Sequence, residues 1–168
     1  GCIFRRCAAL PDCERLCLMT AVITLHPDEA VTAIVAFFEQ LRPENLPQIG
    51  QLYAANGRVQ GPFRDVQGVA AITGVFEHMF VALDAPRFVV TQRVVQGTQC
   101  FLTWDFHFRF QRFDRHVTQT VRGATHLVLD AQGRILLHRD YWDAAEELYE
   151  KIPLVGALMR WLKTRANA

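Results

Sequence analysis

Between Cys100 and Phe110 the chain reads Cys-Phe-Leu-Thr-Trp-Asp-Phe-His-Phe-Arg-Phe, and taking alternate positions splits it into two unlike sets. One set is Cys100, Leu102, Trp104, Phe106, Phe108 and Phe110; the other is Phe101, Thr103, Asp105, His107 and Arg109. An extended strand sends successive side chains to opposite faces, so this segment predicts a sheet strand with one strongly aromatic face. A soluble monomer rarely leaves so large an apolar patch open; the fold must cover it. Two arrangements would do so. Either the domain's own helices pack on the aromatics and leave Asp105, His107 and Arg109 in solvent, or Trp104, Phe106 and Phe108 form a homodimer interface and the polar face lines a cavity inside a curved sheet.

The rest of the chain supplies helices for such a sheet. From Pro27 to Leu41, Val31, Ile34, Val35, Phe38 and Leu41 recur at helical spacing, with Asp28 and Glu29 in the first turn, where the helix dipole favours acids. A second, shorter helix is predicted over 45–55, and a third over 69–83 through Val69, Ile72, Phe76, Met79, Phe80 and Leu83. A brief strand at 58–60 and a Gly61-Pro62 loop separate these two. After Pro86, β-rich runs at 87–96, 99–112, 115–129 and 134–142 alternate with short turns and predict an antiparallel meander. The segment 143–165 reads as helix again, with a break at Pro153 and Gly156. Helices followed by strands argue for an α+β domain in which a curved sheet wraps three helices, closed by a C-terminal helix.

At 168 residues and 51% hydrophobic, the chain suits one domain with a substantial core. A net charge of +1, with basic residues scattered among acids, offers no footprint for nucleic acid. No apolar run approaches the roughly 20 residues of a membrane helix, so we expect a soluble, cytoplasmic protein. Cys2, Cys7, Cys13 and Cys17 lack the paired C-x2-C knuckles of structural zinc sites. Residues 1–18 look unlike the rest and are expected to be an appendage without chemistry, their nativeness left open; residues 19–168 form the domain.

The string His138-Arg139-Asp140-Tyr141-Trp142-Asp143 places acids and aromatics at the end of an apolar strand. Period-2 geometry puts His138, Asp140 and Trp142 on one face and Arg139 and Tyr141 on the other. If the first face looks into a cavity shared with Asp105 and His107, two carboxylates and a histidine would shift one another's proton affinities, as general acid/base catalysis needs. His107, His126 and His138 lie on neighbouring strands, yet strand histidines are more often hydrogen-bonded wall residues than metal ligands, and we expect no metal.

The element order, Gly61-Pro62 after the short strand, and Gly133-Arg134-Ile135 leading to Arg139-Asp140-Tyr141-Trp142-Asp143 resemble the nuclear transport factor 2-like superfamily over roughly residues 27–150. This cone-shaped α+β fold includes ketosteroid isomerase, the polyketide cyclase SnoaL, scytalone dehydratase and limonene epoxide hydrolase. The resemblance to the last strand of limonene epoxide hydrolase implies that Asp140 matches one acid of an Asp-Arg-Asp triad and Asp105 the other. Thr103 stands where that family has its Arg, and Val59 and Gly61 stand where it has its water-holding Tyr and Asn. Against ketosteroid isomerase, Gly61 replaces the catalytic base, and the oxyanion-stabilising acid falls near Thr125 or His126.

Together these observations predict a homodimer that binds a small apolar molecule of lipid, terpenoid, steroid or polyketide type. Asp140, helped by Asp105 or His107, would act as acid/base in an isomerase, cyclase, dehydratase or hydrolase reaction. Tyr53, Phe76, Phe80, Thr103, His126, His138 and Trp142 would line the pocket. No glycine-rich phosphate loop occurs in strand-to-helix context, so no organic cofactor is implied. The alternative is a module of the same fold that binds or assembles without catalysing. The basic amphipathic stretch Val155–Leu162 is expected to cap the cone or meet a partner subunit rather than a membrane.

Overall fold

Pro27 opens the first helix, α1 (Pro27–Glu39), where its missing N–H costs nothing, and Ala30, Val31 and Ile34 bury one face of it. A computed structural model describes residues 26–111, 116–143 and 164–165. The four N-terminal cysteines and the stretch Val155–Leu162 lie outside the described residues. After α1 comes a 3₁₀ helix (Pro43–Gln51), where an α-helix over 45–55 is predicted from sequence. Pro43 and Pro47 explain the difference: Pro47 has no N–H to bond back to residue 43, so the i→i+4 ladder cannot be completed there.

The chain then turns extended at β1 (Tyr53–Gln60), earlier than the sequence suggests, and continues through β2 (Asp65–Gln67), α2 (Val69–Ala82), β3 (Leu83–Gln96), β4 (Gln99–Phe110), β5 (Gln119–Leu129) and β6 (Ile135–Tyr141). The six strands form one sheet in the order β2-β1-β6-β5-β4-β3. Every neighbouring pair is antiparallel except β1 with β6, so the meander is as predicted and the first long strand closes beside the last.

Irregularities in β3 bend the sheet around the helices. The pairing of β3 with β4 shifts between Asp84 and Arg87 and again between Val90 and Gln92. At the first shift Ala85 has φ +48° and Pro86 offers no ladder donor. At the second, the backbone N–H of Val90 donates to Glu39 Oε1 of α1 at 2.9 Å, so the helix satisfies a group near the irregularity. The main core lies between α1, the 3₁₀ helix and α2 on one side and the sheet on the other, with Val31, Ile34, Ile49, Ile72, Cys100, Leu127 and Ile135 buried in it.

The aromatic face of β4 is the inner one. Cys100 and Leu102 belong to the main core, and Trp104 and Phe108 are buried with Val121 in a second cluster that Phe88, Phe106, Phe110 and Trp142 adjoin. Trp104 and Phe108 are thus covered within a single chain, while Phe106, expected with them at a dimer interface, is half-buried on the wall of an apolar groove.

Gly123 on β5 lies opposite Trp104, and a Cβ built there would come within 2.4 Å of the indole ring. Gly123→Ala is expected to displace the ring and cost about 1–3 kcal/mol through overpacking, read as a lower urea midpoint with an unchanged m-value.

Candidate functional site

The last strand carries the chemistry. Across the β5–β6 ladder Asp140 pairs with Thr125, and Thr125 pairs with Leu102 across β4–β5, so these three residues face the same side of the sheet as Trp104. Their side chains join in a directed chain of hydrogen bonds. The Trp104 indole N–H, which can only donate, reaches Thr125 Oγ1 at 2.8 Å, and the Thr125 hydroxyl donates in turn to Asp140 Oδ1 at 2.5 Å. His138 Nε2 lies 3.0 Å from the same Oδ1, and His138 Nδ1 lies 2.6 Å from the Tyr53 hydroxyl. Tyr53 is 1% exposed and His138 7%, so the far end of the chain is sealed in the core, where the edge of Phe38 also meets the imidazole.

This arrangement holds Asp140 as a carboxylate. Burial pushes its proton affinity up, but the adjacent His138 charge, the His138 hydrogen bond and the Thr125 hydrogen bond together outweigh it, and the carboxyl sits below its usual range. Tyr53 moves the other way: burial, with the Asp140 charge adding to it, raises its phenol well above the ordinary value. The phenol therefore stays protonated, its hydroxyl bonded to His138 Nδ1, while His138 Nε2 donates to the Asp140 carboxylate.

Asp140 also stands where three cavities meet. Beneath it is a small apolar cavity of about 50 Å³, walled by Val35, Phe38, Phe76, Phe88, Val90 and Leu102 among others. Beside it runs an apolar groove of about 380 Å³ between Phe88, Trp104, Phe106, Phe108 and Trp142. Toward solvent lies a polar pocket of about 500 Å³ at Arg64, Asp65, Arg139 and Trp142. The inner cavity has room for a water or two at about 30 Å³ each, whereas the groove is in the range of small-molecule sites, roughly 300–1,000 Å³.

Of the residues singled out from sequence, the structure brings together Asp140, His138, Phe76 and Trp142 around these cavities, with Tyr53 behind His138. Phe80 packs on the main core and is absent from the described cavity walls. The expectation that Asp105, His107, Thr103 and His126 share the cavity is corrected. They lie on the outer face, because each alternates with an inward residue of β4 or β5. Asp105 faces Arg122 at 3.9 Å, His107 bonds Thr120, Thr103 bonds Thr91, and His126 stacks on Phe101 and bonds Gln99. The three strand histidines are accordingly divided between the two faces, and among the described residues no three His, Cys, Asp or Glu side chains converge as a metal site. Sequence reasoning missed Thr125 and Trp104 as partners of Asp140; the only trace was the alternation that already placed Trp104 on a strand face of its own.

No helix among the described residues is long and apolar enough to cross a membrane. Comparison with solved structures finds the same fold in proteins of low sequence identity. A hypothetical protein with a ketosteroid isomerase-like fold from Catenulispora acidiphila, crystallised with trimethylamine, is 20% identical with a TM-score of 0.62 over 71% of this chain and 89% of its own. An epoxide hydrolase of M. tuberculosis similar to limonene epoxide hydrolase is 14% identical, with a TM-score of 0.59 over 74% of this chain and 88% of its own. A protein from Jannaschia described as a putative SnoaL-like polyketide cyclase is 13% identical, with a TM-score of 0.60 over 71% of this chain and 87% of its own. No curated protein matches the sequence. Residues 34–138, more than half of the chain and including five of the six strands up to His138, match the model of the SnoaL-like domain, and the chain belongs to that family.

Proposed function

We propose that this SnoaL-like protein binds a small, largely apolar molecule in the groove beside Trp104 and Phe106, and that Asp140 acts on it as a general base. The observation that carries the reading is the Asp140 carboxylate, kept ionised by His138 and Thr125 yet standing at the mouth of an apolar groove of ligand size. A carboxylate so placed is ionised and adjoins whatever fills the groove, which is the geometry that proton abstraction requires. Isomerase, cyclase, dehydratase and hydrolase reactions all use such a step. The polyketide cyclase and epoxide hydrolase among the similar structures support a ligand of lipid, terpenoid, steroid or polyketide type.

A second reading, carriage without reaction, is favoured by one specific observation: Asp105 lies on the outer face, and among the described residues no second carboxylate lines the inner cavity or the apolar groove with Asp140. Displacement of a groove-bound apolar dye such as Nile red by compounds of these classes, followed by chromatography of each displacing compound after incubation, separates the two. Conversion of a displacing compound supports the base; displacement with every compound recovered intact supports the carrier; failure of every class to displace the dye overturns both.

A further inference from the structure

The direction of each hydrogen bond around Asp140 determines what kind of ligand the site takes. The Trp104 N–H is spent on Thr125, the Thr125 O–H is spent on Asp140, and the His138 Nε2–H is spent on Asp140, both of the latter at Oδ1. The Tyr53 hydroxyl bonds His138 Nδ1 in the sealed core, away from the cavity walls. Oδ2 of Asp140 carries none of these bonds, and Asp140 lines both the inner cavity and the groove. Within this bonded set the free polar capacity is therefore an acceptor, Asp140 Oδ2, and the Trp142 indole is the other polar group on the groove wall.

We infer that the ligand presents a hydroxyl group, as an apolar alcohol or phenol, to Asp140 Oδ2. The inference rests on the groove-binding reading above and narrows it. A ketone or ester placed here would turn its oxygen toward a carboxylate, and an enolate formed from it would find no donor in this set to stabilise the developing oxyanion, which is ordinarily a large catalytic contribution. A hydroxyl satisfies the carboxylate directly, through a charge-assisted hydrogen bond.

The same geometry makes Asp140→Asn an inversion of polarity. Two donors, from Thr125 and His138, must still be accepted at the Oδ1 position, so the amide oxygen takes that place and the amide N–H₂ occupies the place of Oδ2. The pocket then offers a donor where it offered an acceptor.

Borneol and camphor, an alcohol and a ketone on one bicyclic skeleton, serve as probes in competition with Nile red. The wild-type protein is expected to bind borneol at least about tenfold more tightly than camphor, in line with a hydrogen bond to a charged group. Asp140→Asn is expected to reverse the order, and Asp140→Ala, which removes the acceptor and frees the Thr125 and His138 donors, to lose the preference for borneol; thermal melts confirm that each variant is folded. Equal affinity for both probes in the wild type, or a preference for camphor, overturns the hydroxyl assignment while leaving the groove reading intact. Binding of neither probe by wild-type protein overturns the groove reading and this inference with it.

Discussion

Turnover by Asp140→Asn will fall by about 10²–10⁴-fold, the usual contribution of a positioned general base, while Asp105→Asn will turn over its ligand like the wild type. The pair isolates the base from acids in general. Both residues are strand aspartates, but Asp140 receives hydrogen bonds from Thr125 and His138 at the cavity mouth, and Asp105 faces Arg122 on the outer surface. The amide of Asn cannot take a proton at neutral pH, yet it keeps the size of the carboxyl and can still accept from Thr125 and His138. The loss should therefore appear in kcat with little change in melting temperature. Equal loss in both variants, or none in Asp140→Asn, would remove Asp140 from the mechanism.

His138→Leu will destabilise the protein by about 2–4 kcal/mol, since it strands a fully buried Tyr53 hydroxyl and withdraws a charge-assisted donor from Asp140. The upper part of the usual range for breaking a buried pair is not reached, because the Asp140 side chain is 28% exposed and water can replace part of what it loses. Leucine fills much of the imidazole volume against Phe38, so the cost is chiefly polar. The effect depends on pH in a definite direction. Asp140 has a folded proton affinity below its unfolded value, so its contribution is fully present above the unfolded aspartate range, near pH 3.9, and is lost as pH falls through the folded value. Urea denaturation should show the gap between wild type and His138→Leu narrowing below about pH 4. A gap that is constant from pH 7 to pH 3 would mean that the loss is one of packing alone. Tyr53→Phe in the same experiment removes the orphaned hydroxyl and should recover part of the deficit when combined with His138→Leu.

The residues of this network were unequally visible in the sequence. Asp140 and His138 share a face by simple alternation within one strand, and the structure keeps them 3.0 Å apart. Tyr53 was expected at the pocket but on a helix, because Leu46, Ile49, Leu52 and Tyr53 sit at helical spacing; the prolines at 43 and 47 tighten the first part into 3₁₀, and parallel pairing with β6 draws Tyr53 into a strand. Thr125 carries no local signal at all. A threonine in a β-rich run is ordinary, and only the register of three strands sets its hydroxyl between Trp104 and Asp140.

Taken alone, the sequence determined α1, α2, the meander, the α+β class and the two faces of β4, because the 3.6- and 2-residue periods are local properties of a chain that must bury its apolar side chains. It also brought Asp140 to notice as an acid at the end of an apolar strand. Which face of β4 turns inward relative to Asp140 was decided only by the tertiary structure. Parity between strands is set by pairing register, and a shift of one residue carries every side chain to the other side. That register put Trp104 and Leu102 beside Asp140 and sent Asp105 and His107 to the far face, exchanging an expected carboxylate pair for a single carboxylate in a network with a tryptophan, a threonine, a histidine and a tyrosine.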